Sequence, residues 1–143
     1  MTDLPANLAA QFMERQKGAL PDHLGHVWET IVSGRGAGWF AVAPHHMAPN
    51  GFLHAGSVVS FADTACGYAC VASLPDGASG FTTLELKSNF LGTARDGIVD
   101  VEAHLVHGGR MTQVWDAVVT HRESGKAIAL FRCTQMILYP KGA

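Results

Sequence analysis

Apolar and polar positions alternate through residues 97 to 107. Val99, Val101, Ala103 and Leu105 are separated by Asp100, Glu102 and His104. A period of two sends the apolar side chains to one face of a strand and leaves the other face to water. Three further segments, 81 to 91, 111 to 121 and 127 to 139, also predict strands, and "RDG", "HGGR" and "ESGK" supply the turns between them. Upstream, "HVWETIVSG" and "GWFAVAPHH" predict two shorter strands joined by the Gly-rich "GRGAG". Residues 4 to 17, "LPANLAAQFMERQK", predict an amphipathic helix in which Leu8 and Phe12 share a face and Pro5 fits the first turn.

Between the short and the long strands the pattern changes. "NGFLHAGSVVSFADTACGYAC", residues 50 to 70, is small or apolar almost throughout. Val58, Val59, Phe61, Ala62, Ala65, Ala69 and Val71 leave no polar stripe of the kind a surface helix carries. The expectation is one buried helix over 55–73, about 27 Å long if 18 residues are helical. One sheet cannot enclose such a helix, so a second copy of the chain is expected to cover the remainder. The order of elements predicts a single α+β domain over 1–143: an N-terminal helix within 1–20, the central helix, and a meander of antiparallel strands over 80–139.

Composition narrows the possibilities. The 143 residues are 48% hydrophobic and carry a formal net charge of -2, which supports a real core and argues against a nucleic-acid binder. Cys66, Cys70 and Cys133 have neither metal-type nor redox-type spacing, and Cys66 and Cys70 read as core filler on the buried helix. Residues 2 to 10 lack the basic start and apolar run of an export signal, so a cytoplasmic location is expected. A membrane-spanning reading of 55–75 would place Asp63 near mid-bilayer, at about 2.5–3.5 kcal/mol, and no Lys or Arg flanks the segment closely.

Asp63 is the one acid in the helix. Gly56, Ser60, Asp63 and Gly67 are spaced by four, three and four, which puts them on one face. Glycine inside a helix costs about 1 kcal/mol relative to alanine, so a ligand or partner chain is expected to approach that face closely. A buried carboxylate must be paired or hydrogen-bonded unless it is there for chemistry. Structurally, it could pair with Lys87 or Arg95. Functionally, it could act as general base, or as nucleophile, with unpaired amides at the helix start near His54, Ala55 and Gly56 holding an oxyanion. That combination fits attack of water on an acyl carbon.

"GFLHAG" followed by "SFADTACGYAC" resembles the PaaI-type branch of hotdog-fold acyl-CoA thioesterases. The family pattern places a Gly three before a His, Gly-Gly after it, and an Asp or Glu nine after it. Gly51, His54, Gly56 and Asp63 match, while Ala55 stands for the first Gly and retains its amide. The family's Asn lies six before the His, whereas Asn50 lies four before it. The strand "FTTLELKSNFLGTARDG" and the segment "GGRMTQVWDAVV" extend the similarity over most of the chain after residue 40. The resemblance implies a five- or six-stranded antiparallel sheet around the helix, and homodimers with two sites at the interface that often pair again to tetramers. It implies no cofactor beyond the coenzyme A of an acyl-CoA substrate. It also implies that Thr83 of the partner orients the attacking water, and that Gly51, Asn89, Gly109 and Arg110 contact CoA, the Arg by its planar fork.

Other signals carry less. His104 and His107, three apart on a strand, are expected to face opposite sides, so no metal site is expected. "GRGAG" precedes a strand and not a helix, which removes a dinucleotide-loop reading, and no G-x-S-x-G elbow is present. Trp28, Trp39 and Trp115 can be core or acyl-pocket walls. Two alternatives to hydrolysis remain at this level: a hotdog hydratase or dehydratase with His54 as base, and a non-catalytic acyl-CoA binder.

Overall fold

The computed structural model describes residues 6–142. Its elements run α1 (Ala9–Arg15), α2 (Leu20–His23), β1 (Val27–Val32), β2 (Arg35–Ala41), α3 (Ala55–Ala72), β3 (Gly80–Phe90), β4 (Ile98–Gly108), β5 (Thr112–His121) and β6 (Ala127–Leu138). Among the described residues the strands form one six-stranded antiparallel sheet in the order β1-β2-β4-β5-β6-β3, and α3 packs against it. This is the hotdog arrangement that the sequence resemblance implied.

The place of β3 differs from the expected meander. Only β4, β5 and β6 follow one another as neighbours; β3 pairs with β6 and forms the far edge. Each step from β2 through β4, β5 and β6 to β3 is antiparallel, so β2 and β3 run parallel. A parallel return needs a crossover, and α3 is that crossover. The two strands lie four positions apart, about 19 Å at the usual strand spacing. The helix has 18 residues, about 27 Å at the usual rise, long enough to carry the chain across the sheet and deposit β3 beyond β6.

Of the glycines of "GRGAG", Gly34 lies in the turn as expected, whereas Gly36 and Gly38 are strand residues. Val32 pairs with Arg35, so the hairpin turns on Ser33 and Gly34, with Gly34 at φ +82. Gly36 and Gly38 lie inside β2 because nothing larger fits. A Cβ on Gly36 would stand 2.9 Å from the Ala65 carbonyl oxygen, and one on Gly38 would stand 2.5 Å from the Trp28 ring. The second short strand also stops at Ala41, and Pro44–His46 form a 3-10 turn in place of the strand continuation expected through His46.

The N-terminal helix is shorter than the 4–17 expected, and Leu4 and Pro5 lie outside the described residues. The Asn7 side-chain oxygen accepts from the amides of Ala9 and Ile31, and the Leu8 amide donates to the Ile31 carbonyl, so residues 7 and 8 lie along β1. Gly18, at φ +80, separates α1 from α2.

The core lies between α3 and the sheet. Val99, Val101 and Ala103 are buried as the alternation predicts, and Phe61, Ala62, Ala65 and Ala69 meet them from the helix. Cys66, Cys70 and Cys133 are buried free thiols, and the first two fill the core as expected. Trp28 and Trp115 are core residues. Part of the cover expected from a second copy comes from the chain itself: Phe12 of α1 stacks on Tyr68 of α3 with ring centroids 4.0 Å apart. A register shift between Leu105 and His107 makes the intervening residue a bulge. His104, opposite Asp116, and His107, opposite Val114, therefore share the outer face, contrary to expectation. Among the described residues no group of three or more metal-ligating side chains could hold a metal ion.

Candidate active site

The chain enters α3 through a tight loop. Met47 and Leu53 form an isolated bridge, the Ala48 amide donates to the Phe52 carbonyl, and Gly51 turns at φ +84. The Asn50 carboxamide oxygen accepts from the Phe52 amide at 3.2 Å, so Asn50 serves its own turn. Six positions before His54 the side chain is the methyl group of Ala48.

His54 is the N-cap of α3, and its Nδ1 accepts from the Gly56 amide at 2.7 Å. An accepting Nδ1 places the proton of the neutral ring on Nε2. The bond occupies one of the two amides named for oxyanion binding. The Ala55 amide has no acceptor among the described residues, and Ala55 is exposed. Ala55 lines a cleft of about 340 Å³ with Phe52, Leu53, Val58, Phe90 and Thr93. The Arg95 guanidinium stands over the Phe52 ring, 4.9 Å from its centroid.

Asp63 faces a second cleft, of about 270 Å³. Phe12 and Pro21 line it from the N-terminal segment, Thr64, Gly67 and Tyr68 from α3, and Phe81 from β3. Asp63 makes no ion pair among the described residues, with Lys87, Arg95 or any other cation. Its Oδ1 atom is buried without a hydrogen-bond partner among those residues. Burial alone pushes its carboxyl pKa upward. A carboxyl held this way is a stronger base once ionised, because the protein has not already bound its lone pairs.

The small residues flanking Asp63 have internal explanations. A Cβ on Gly67 would stand 3.1 Å from Phe81, and one on Gly56 would stand 2.9 Å from the His54 ring. The Ser60 hydroxyl donates to the Gly56 carbonyl at 2.7 Å. The close approach inferred from the glycines is therefore made by the chain's own side chains.

Asp63 and Ala55 do not meet within one chain. They are eight residues apart on a straight helix, about 12 Å along its axis, and they line different clefts. Thr83 pairs with buried Gln135, which puts it on the helix side of the sheet edge, yet it does not line the Asp63 cleft. Asn89 pairs with Leu130 and lines a groove on the opposite face with Lys87 and Arg132. Gly109 and Arg110 lie in the β4–β5 hairpin beyond the C-terminal end of α3, where Gln113 donates to the Ser73 carbonyl. The Arg110 guanidinium stands over Tyr139 there, 5.4 Å from its ring centroid.

Sequence reasoning missed Phe12, Pro21, Tyr68 and Phe81 as walls of the Asp63 cleft. Tyr68 had only a weak signal, since it lies on the same helix but five residues after Asp63, off the face that spacings of three and four would share. Phe12 and Pro21 had none, because only the chain's path brings them there.

A long helix packed against a six-stranded antiparallel sheet, bearing a carboxyl with no ion-pair partner among the described residues, is the frame of a hotdog fold. Comparison with known proteins agrees: the family model of the Thioesterase superfamily matches residues 50–128, and the chain belongs to that superfamily. It is 34% identical over 86 residues to the 1,4-dihydroxy-2-naphthoyl-CoA hydrolase of Listeria monocytogenes, covering 60% of this chain and 68% of that protein. Its fold superposes on a mutant of thioesterase PA1618 of Pseudomonas aeruginosa with a TM-score of 0.86, at 27% identity over 96% of both chains. A thioesterase family protein from Silicibacter pomeroyi matches with a TM-score of 0.79 at 30% identity, over 92% of this chain and 96% of that one. No helix among the described residues is long and apolar enough to cross a membrane.

Proposed function

We propose that the protein hydrolyses acyl-CoA thioesters at a site built from two copies of the chain, with Asp63 of one copy and Ala55 of the other. Asp63 takes a proton from water as the water oxygen bonds to the thioester carbon. The carbonyl electrons move onto oxygen, and the Ala55 amide stabilises that charge at the positive end of α3. The intermediate collapses by breaking its carbon–sulfur bond, and the thiolate of CoA leaves with the proton that Asp63 had taken. Thr83, on the helix side of the β3 edge, orients the water, and His54 holds the helix start through Gly56. The hydrolase named above as a relative acts on a CoA thioester, which supports CoA as the carrier. A cytoplasmic location goes with this reading and with three cysteines that stay free thiols.

The observation that carries the reading is the buried Asp63 oxygen, unpartnered among the described residues and facing a cleft. The two-copy requirement rests on the 12 Å between Asp63 and Ala55 along the helix axis, by the usual rise. The edge strand β3 supports it, because Leu84, Leu86 and Phe90 are exposed along that edge and an open edge is a template for pairing. The direct test is Asp63→Asn, assayed by thiol release from a panel of acyl-CoAs. Turnover is expected to fall by about 10²–10⁴; near-normal turnover would end the assignment. A hydratase would instead add water to an enoyl-CoA without releasing thiol.

A further inference from the structure

The start of α3 is fastened from outside the family match. His46, 2% exposed, lies in the 3-10 turn before the helix, eight residues ahead of His54. Both nitrogens of its ring are engaged. Nδ1 accepts from the Ala43 amide at 3.0 Å, and Nε2 lies 2.6 Å from the carbonyl of Leu24, the residue that ends α2. An accepting Nδ1 leaves the proton on Nε2, which donates to Leu24. The Phe40 ring packs against the imidazole, with centroids 4.5 Å apart. Leu24, Ala43 and His46 all precede residue 50, where the family match begins.

The backbone of the same residue holds the helix. The His46 carbonyl accepts from the His54 amide at 3.0 Å and from the Ser57 hydroxyl at 2.7 Å. His54 in turn fixes the first turn of α3. Its Nδ1 takes the Gly56 amide, and its carbonyl takes the amides of Ser57 at 2.9 Å and Val58 at 3.4 Å. The Ala55 amide lies between these tethers and has no acceptor among the described residues. A chain of bonds therefore runs from Leu24 and Ala43 through the His46 ring to its carbonyl, and on to the residues on either side of Ala55. Moving His46 would change where that amide points. An oxyanion donor is sensitive to such movement, because it must meet the oxygen where the charge develops.

We propose that His46 is a positioning residue for the oxyanion end of the site: its ring fixes where the His46 carbonyl lies, and that carbonyl aims the Ala55 amide through His54 and Ser57. The proposal rests on the hydrolase reading above in taking the Ala55 amide as the oxyanion donor. His46 acts through other residues, so its loss costs kcat and spares KM, since the charge on the carbonyl oxygen exists only in the transition state. His46→Leu removes both ring bonds and should lower kcat by about 10–10²-fold, the scale of a misplacement of about 1 Å. His46→Gln supplies an acceptor and a donor on one planar amide and should restore most of kcat. A residue needed only for stability would move Tm and leave kcat of the folded enzyme where it was. Ser57→Ala cuts one tether and leaves the ring seated. It should lower kcat by a smaller factor, and it carries the test if His46→Leu does not fold. The kinetics are measured on whichever of hexanoyl-, decanoyl- and benzoyl-CoA the wild type turns over fastest.

Hydrogen exchange gives a readout that does not depend on turnover. Exchange at the amides of Gly56, Ser57 and Val58 should be about tenfold faster in His46→Leu than in wild type, and close to wild type in His46→Gln. Faster exchange together with the loss of kcat supports the positioning role. Full turnover in Asp63→Asn, with both contrasts intact, removes Asp63 as the base and leaves His46 in its role. Unchanged exchange, a kcat within about twofold of wild type, or a rise in KM that accounts for the whole loss, in folded His46→Leu or else in Ser57→Ala, overturns the proposal.

Discussion

Asp63 and His26 are two buried titratable groups with opposite consequences. The Asp63 carboxyl has its pKa raised by burial. The folded chain therefore holds a proton over a pH interval in which the unfolded chain has lost it. Stability falls as pH rises through that interval, and the destabilisation is complete above it. Asp63→Asn removes the charge, so at pH 7 its Tm should equal or exceed that of wild type even as turnover collapses; a clear drop in Tm would reveal a stabilising partner for the carboxylate. On the proposed role of Asp63 as base, the same shift should put the acid limb of kcat/KM above the ordinary carboxylate range. His26 is 2% exposed, and neither ring nitrogen has a partner among the described residues. Burial, and then the neighbouring His46, lower its pKa to about 4. The unfolded chain takes up a proton below the ordinary histidine pKa, about 6.5, that the folded ring refuses until about pH 4. Stability is full above that interval and falls with acid across it, by up to about 3 kcal/mol. His26→Leu should flatten the fall in urea midpoint between pH 7.5 and 5, and an unchanged slope would place the acid sensitivity elsewhere.

At the scale of elements, the close fit of β2 under α3 determines what the short strands can contain. Gly36 faces the Ala65 carbonyl and the Ala69 methyl, and Gly38 faces the Trp28 ring. Gly36→Ala should cost about 1–3 kcal/mol, the range for overpacking, whereas Gly80→Ala, where a Cβ meets nothing within 4 Å, should be near neutral. Urea unfolding of the two variants checks the contrast, and equal midpoints would show that α3 can lift away from β2 freely. The same glycines mark where the sequence misled. Gly-rich stretches signal turns by their backbone freedom, but they signal close approach equally well, and nothing local separates the two readings. The bulge beside His107 is a similar case: a one-residue slip reverses the face of every later side chain, and only strand pairing reveals it.

At the scale of the whole molecule, Asp63 and Ala55 of one copy lie about 12 Å apart along α3, by the usual helical rise. The reading that joins them makes a definite forecast. Leu86, on the helix side of the β3 edge and 40% exposed, should lie within the joint between copies. Leu86→Glu should reduce the mass seen by light scattering from two or more chains to one and abolish hydrolysis; an active monomer would refute the two-copy site. The sequence by itself determined which segments have one dry face, which helix is buried, and that Asp63 lies nine residues after His54, because side-chain periodicity and motif spacing are local properties of the chain. Tertiary structure alone decided that β3 returns beside β6, that Phe12 and Pro21 wall the cleft, and that the Asn50 side chain bonds its own turn. Those outcomes depend on which distant surfaces fit together once the helix has crossed the sheet, and contacts between residues far apart in sequence leave no period to read.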